Sequence, residues 1–233
     1  MKRILLIVAI IGLTVAASAQ DIQLHYDLGE GRKYFTSTVE MFKPDKLGNT
    51  FFFVDMDYNA GDVRGVSLAY WEIARAFTLG KTPLAFHVEY NGGFGQWKEG
   101  DESGVYTINN AWLTGLEYII NAKDFSKGIT FQALYKYIQG KSNASFQLTT
   151  VWYLNLANNK LSLTGYADFW RENMTFNEGS PQEVNTKYIF QSEPQIWYNV
   201  TEKFAVGNET EISCNFIADE FKFMPTVAVK YTF

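Results

Sequence analysis

Apolar and polar side chains alternate one by one through segment after segment of this chain, and a period of two belongs to a strand with one greasy and one wet face. In the last segment Phe223, Val227, Val229, Tyr231 and Phe233 share one parity against Met224, Thr226, Ala228, Lys230 and Thr232. A soluble sandwich alternates in the same way. The decision between sandwich and barrel therefore falls to the number of such segments, the residues at their ends and the character of the polar face.

The segments run to about twelve, each of about ten residues and each bounded by a turn cluster, which is the sequence pattern of a transmembrane barrel. They cover 21–28, 33–43, 50–59, 65–79, 84–97, 106–121, 129–139, 145–156, 160–171, 186–199, 203–216 and 221–233. An even number places both chain ends on one side. The longer insertions at 98–105 and 172–185 then fall outside, and the compact turns at 44–49, 80–83, 122–128 and 157–159 fall on the periplasmic side. Pro194 and Pro225 lie within two of the segments, where each removes a backbone donor, so strand starts or bulges are expected there.

Ahead of this pattern, Lys2 and Arg3 precede the apolar run Ile4 to Val15, and Ala17-Ser18-Ala19 supplies a small-x-small cleavage site. This predicts a secretory signal peptide over 1–19 and one mature domain, a β-barrel, over 20–233; a membrane anchor is the alternative, but the run is shorter than the roughly 20 residues a helix needs to span. Cys214 is the only cysteine, so no internal disulfide can hold the exported chain. Loss of Lys2 and Arg3 makes a chain of formal charge −5 more acidic still, which disfavours nucleic-acid binding.

Aromatic residues make up 17 % of the chain, and several stand near strand ends, as in interfacial girdles. Phe52, Val54, Met56 and Tyr58 oppose Phe53, Asp55 and Asp57; Leu84, Phe86, Val88 and Tyr90 oppose His87, Glu89 and Asn91; Phe204, Val206, Ile212 and Phe216 oppose Ala205, Gly207, Glu209, Glu211 and Ser213; Ile22, Leu24, Tyr26 and Leu28 oppose Gln23, His25 and Asp27. About twelve strands closed into a barrel leave an interior wider than apolar side chains fill. The apolar faces therefore point outward to lipid, and the fold class is all-β, an antiparallel outer-membrane β-barrel of a bacterium. A strand ending at Phe233 sets the terminal aromatic at the lower interface, pairs with the first strand, and looks like the signal read by the barrel-assembly machinery.

The inward parity collects Asp27, Asp55, Asp57, Glu72, Glu89, Glu117, Asp168, Glu193, Glu209 and Glu211, with Lys136 and Lys230 among few bases. Such a wall repels anions and favours neutral, hydroxyl-rich or cationic solutes, although any one of these acids is also what a wet lumen carries anyway. Phe53, Tyr166 and Trp170 share that parity and either stack a planar ring in the bore or pack the barrel's own loops. His25 and His87 are the only histidines, and a barrel lipid hydrolase needs one of them beside a serine. The sequence carries no zinc spacing, no phosphate loop and no cofactor motif.

Three stretches, NTFFFVDMDYN (49–59), YWEIARAFTL (70–79) and VAVKYTF (227–233), resemble the nucleoside-specific channel-forming, Tsx-like porins of the outer membrane. The resemblance implies a twelve-stranded barrel and facilitated diffusion of nucleosides, with aromatics stacking the base and polar groups holding the sugar. Glu72 looks like the luminal acid of the 70–79 strand; Arg75 falls on the opposite parity, so either a bulge intervenes or it lies outside the lumen. The expectation is a passive channel for small neutral solutes, nucleosides first, past a weak site made by Phe53, Asp55, Asp57, Glu72, Glu89, Tyr166, Asp168, Trp170, Glu193, Glu209 and Glu211. The alternatives are a non-transporting structural or adhesive barrel, and the lipid hydrolase.

Overall fold

In the computed structural model, which describes residues 20–141, Asn143 and 145–233, antiparallel strands close on themselves. The expected signal peptide over 1–19 lies outside the described residues. The strands are β1 (Gln20–Asp27), β2 (Phe35–Asp45), β3 (Gly48–Tyr58), β4 (Val66–Thr78), β5 (Leu84–Glu99), β6 (Glu102–Asn121) and β7 (Lys127–Ile138). They continue with β8 (Ser145–Leu156), β9 (Leu161–Phe176), β10 (Val184–Ser192), β11 (Gln195–Asn199), β12 (Phe204–Cys214) and β13 (Phe221–Thr232).

β10 and β11 lie end to end between the same two neighbours, β9 and β12, so the wall is a barrel of twelve strands. β1 pairs with β13 from Asp21↔Thr232 to Asp27↔Thr226, and the Phe233 N–H donates to the Gln20 carbonyl at 3.1 Å. Closure matters physically because an open sheet edge in hydrocarbon leaves its N–H and C=O groups without partners.

The faces follow the sequence parity. Ile73, Phe86, Trp112, Leu116, Phe131, Leu148, Ile196, Phe223 and Val229 are exposed on the outside, whereas Gln23, His25, Asp27, His87, Asn91, Glu117, Lys136 and Gln147 are buried on the inside. A fold with polar residues buried and apolar residues exposed is inverted relative to a water-soluble domain. Lipid is the solvent that makes it favourable.

Three expectations need correcting. Pro194 does precede a strand start, with β10 ending at Ser192 and β11 beginning at Gln195, but Pro225 lies inside β13, and neither proline shifts the register. Ser192↔Ala167 and Gln195↔Thr164 keep one alignment across Pro194, and Gly207↔Ala228 and Thr210↔Pro225 keep one alignment up to Pro225. Each proline still accepts, with Thr210 N–H donating to the Pro194 carbonyl at 3.1 Å and Leu28 N–H to the Pro225 carbonyl at 2.9 Å. Beside Pro225, the Glu209 N–H turns to Thr226 Oγ1 at 3.1 Å. The bulges fall instead between Asp57 and Tyr58, Asn91 and Gly93, and Thr186 and Tyr188.

The outer insertions are largely strand: 98–105 forms the tip of the β5–β6 hairpin, and the β9–β10 loop spans only 177–183. Polar composition suggested loops there, but strands that leave the membrane need no apolar face. Phe216 does not point to lipid either. Asn215, at φ 57°, reverses the chain just past β12, and Phe216 turns in against Trp170 with ring centroids 5.8 Å apart.

Candidate functional site: the acidic lumen

Neighbouring strands deliver their odd or even side chains to the lumen at fixed heights, so each inward residue meets cross-strand partners that the register decides. Asp55 and Asp57 on β3 accept hydrogen bonds from Thr38 Oγ1 (2.5 Å) and Thr36 Oγ1 (2.6 Å) on β2. On the next strand, Tyr70 donates its hydroxyl to Glu72 Oε1 at 2.5 Å, while the Tyr70 ring packs 5.9 Å from Phe53. Phe53 is thereby the middle of an aromatic run from Phe51 to Tyr70.

Further round the wall, His87 is held between two glutamates, with Nε2 3.0 Å from Glu89 and Nδ1 3.0 Å from Glu117. His25 contacts Gln23 and Thr226 through its two ring nitrogens. All four imidazole nitrogens thus face groups other than the serine that a hydrolase needs. Lys136 donates to Gln147 Oε1 at 2.7 Å and lies 4.4 Å over the Trp170 ring, whose indole N–H donates to Glu172. Trp170 is 5 % exposed, so its ring serves the wall.

Glu193 accepts from Gln191 at 3.0 Å and Glu209 from Gln195 at 2.5 Å, and Gln195 in turn accepts the indole N–H of Trp197. Glu211 accepts from Ser213 and from Arg32, which reaches in from the β1–β2 loop and also binds Asp27. Partial burial works against the Arg32 charge, but the Glu211 and Asp27 carboxylates outweigh it and hold the guanidinium more firmly protonated than usual.

Acids from opposite walls interact electrostatically: Glu72 on β4 with Asp168 on β9, and Glu193, between β10 and β11, with Asp55 on β3. Tyr166 on β9 lies within the same charge–charge reach of Glu72, Glu193 and Glu209. Carboxylates from these walls therefore face a shared lumen. Asp168 Oδ1 is buried there without a hydrogen-bond partner. Among the described residues no group of three or more His, Cys, Asp or Glu is arranged to hold a metal ion.

All eleven residues singled out in the sequence stand on the inward parity, and the structure distributes them around one lumen. Arg75 lies outside it, paired with Asp45 at 2.7 Å near the β2–β3 turn. Glu40, Tyr70, Trp197 and Arg32 join the lumen without having been singled out. Parity marks Glu40 two residues beyond Thr38, and Tyr70 two before Glu72; Arg32 sits in a turn, where parity is silent.

A model of the family described as "Domain of unknown function (DUF5020)" matches residues 19–233. No curated protein matches the chain in sequence. Two solved structures share its fold. One is the NanC porin, with a TM-score of 0.57 at 9 % identity, covering 92 % of this chain and 100 % of that one. The other is the KdgM porin in complex with disordered oligogalacturonate, with a TM-score of 0.50 at 10 % identity, covering 92 % and 99 %.

Proposed function

The chain belongs to the DUF5020 family, and we propose that it is an outer-membrane channel through which small, neutral, hydrogen-bonding solutes, nucleosides first, diffuse passively. One observation carries the reading: a lumen ringed by acids inside an exterior that is apolar all round. A polar bore enclosed by lipid has the arrangement of a water-filled pore. Carboxylates and amides that already bond one another hold no solute tightly, and conduction needs binding weak enough to release.

Asp55, Asp57, Glu72, Glu89, Asp168, Glu193, Glu209 and Glu211 offer acceptors to sugar hydroxyls and amino groups, with Phe53 and Tyr166 beside them. The lumen of this chain is acidic, so anions such as the oligogalacturonate bound by KdgM are disfavoured. The choice of nucleosides among neutral solutes rests on the resemblance of 49–59 and 70–79 to the Tsx-like porins.

Liposome swelling with uridine, a neutral sugar and a nucleotide tests the reading. Uridine is expected to enter fastest and the nucleotide slowest. Equal entry of all three removes the nucleoside preference, and no entry of any removes the channel.

A further inference from the structure

β5 and β6, of 16 and 20 residues, are among the longest strands, and their hairpin turns only at 100–101. Above the bulge at Asn91/Gly93 its inner face continues as Gly93, Gly95 and Trp97, paired with Ile108, Tyr106 and Gly104. Its outer face carries Phe94, which packs against the lipid-facing Trp71, and Val105.

Two aromatic rings lie flat on the inner face because each is paired with a glycine. A Cβ at Gly95 would fall within the Tyr106 ring, and one at Gly104 would stand 2.8 Å from Trp97 Nε1. Each ring presses one face on bare backbone and leaves the other uncovered; Trp97 and Tyr106 are both 45 % exposed. They are diagonal neighbours across the hairpin, about 7–8 Å apart by the usual spacing of such pairs. The row that holds Tyr106 runs through Gly95 and Leu68 to Asp57, so the rings stand at the head of the luminal carboxylates.

We propose that this face of the β5–β6 hairpin is the first binding station of the channel, where the planar base of an incoming nucleoside stacks on Trp97 and Tyr106 before its sugar meets Asp57. The identity of the ring rests on the nucleoside reading above. Uncovered aromatic faces attract any flat π-system from water, and Asp57, in the row that holds Tyr106, offers the first acceptor for hydroxyls. A nucleoside engages both, its base on the rings and its sugar at the acid, whereas a sugar alone brings no flat ring to stack.

Block of single-channel current by uridine added on the hairpin side tests it, with Trp97→Leu/Tyr106→Leu and with Gly95→Ala, which displaces Tyr106 without deleting it. Both variants are expected to raise the half-blocking concentration about five-fold or more, while block by a neutral sugar stays unchanged. An unchanged half-block in both variants, or an equal shift for the sugar, overturns the station and leaves the channel reading intact. If no solute enters wild-type liposomes, the channel reading fails by itself. Quenching of tryptophan fluorescence by uridine then decides the station: a quench lost in Trp97→Leu upholds it, and any other result overturns it.

Discussion

The Lys230 ammonium lies over the face of Trp197, 4.2 Å from the ring centroid. Trp197 is fully buried, with His25 edge-on to its ring at 6.0 Å, so cation, indole and imidazole lock β13, β11 and β1 together on the inner side of the closure.

Trp197→Ala removes this packing and is expected to lower stability by about 3–5 kcal/mol, read as a lower midpoint for loss of heat-resistant mobility on gels. Lys230→Met keeps most of the volume and costs less, roughly 0.5–2 kcal/mol for the lost cation–π contact. A Trp197→Ala midpoint equal to wild type is the result that contradicts the lock.

The carboxylate ring sets ion preference. Glu193→Gln/Glu209→Gln is expected to shift the reversal potential in a salt gradient toward weaker cation selectivity, and Lys230→Met to shift it the opposite way. Shifts of the same sign in both variants would show that these residues do not line the conducting path.

His87 stands between Glu89 and Glu117 at 3.0 Å from each. Replacing it by Leu leaves two neighbouring buried carboxylates without their shared partner, with an expected loss of about 2–4 kcal/mol. Urea unfolding checks this: His87→Leu/Glu117→Gln should recover part of the loss, and a double variant no more stable than the single one counts against the clamp.

At the β6–β7 turn, the Ser126 side chain and backbone hydrogen bonds hold the Asp124 carboxyl below its ordinary value near 3.8. A lowered carboxyl adds stability above its unfolded value, and that increment is lost as pH falls through the folded one. Asp124→Asn should therefore lie below wild type in thermal midpoint at pH 7 and converge with it in strong acid. A gap that persists unchanged at low pH would assign the difference to the turn's shape.

The twelve-stranded wall was legible because a period of two survives any error in strand ends: Phe223, Val229 and Tyr231 face outward wherever β13 is taken to begin. The inward acids were legible for the same reason. What parity cannot supply is who meets whom. Lys136 over Trp170 depends on the alignment of β7, β8 and β9, which no single segment encodes. Phe216 was misplaced because one left-handed residue, Asn215, ends the alternation, and asparagine is a residue that tolerates this backbone. Pro225 was over-read as a break, since it keeps its carbonyl in the ladder and a threonine hydroxyl takes a donor beside it, whereas Pro194 does mark the interruption between β10 and β11.

The pairing of β1 with β13 joins residues as distant as His25 and Thr226, 201 positions apart. Every other adjacent pair can zip as a hairpin, but this one must wait for all the rest. Until that late encounter both margins remain sticky to any passing chain, so the speed of sealing, more than the strength of the finished wall, sets how much of the protein escapes misassembly.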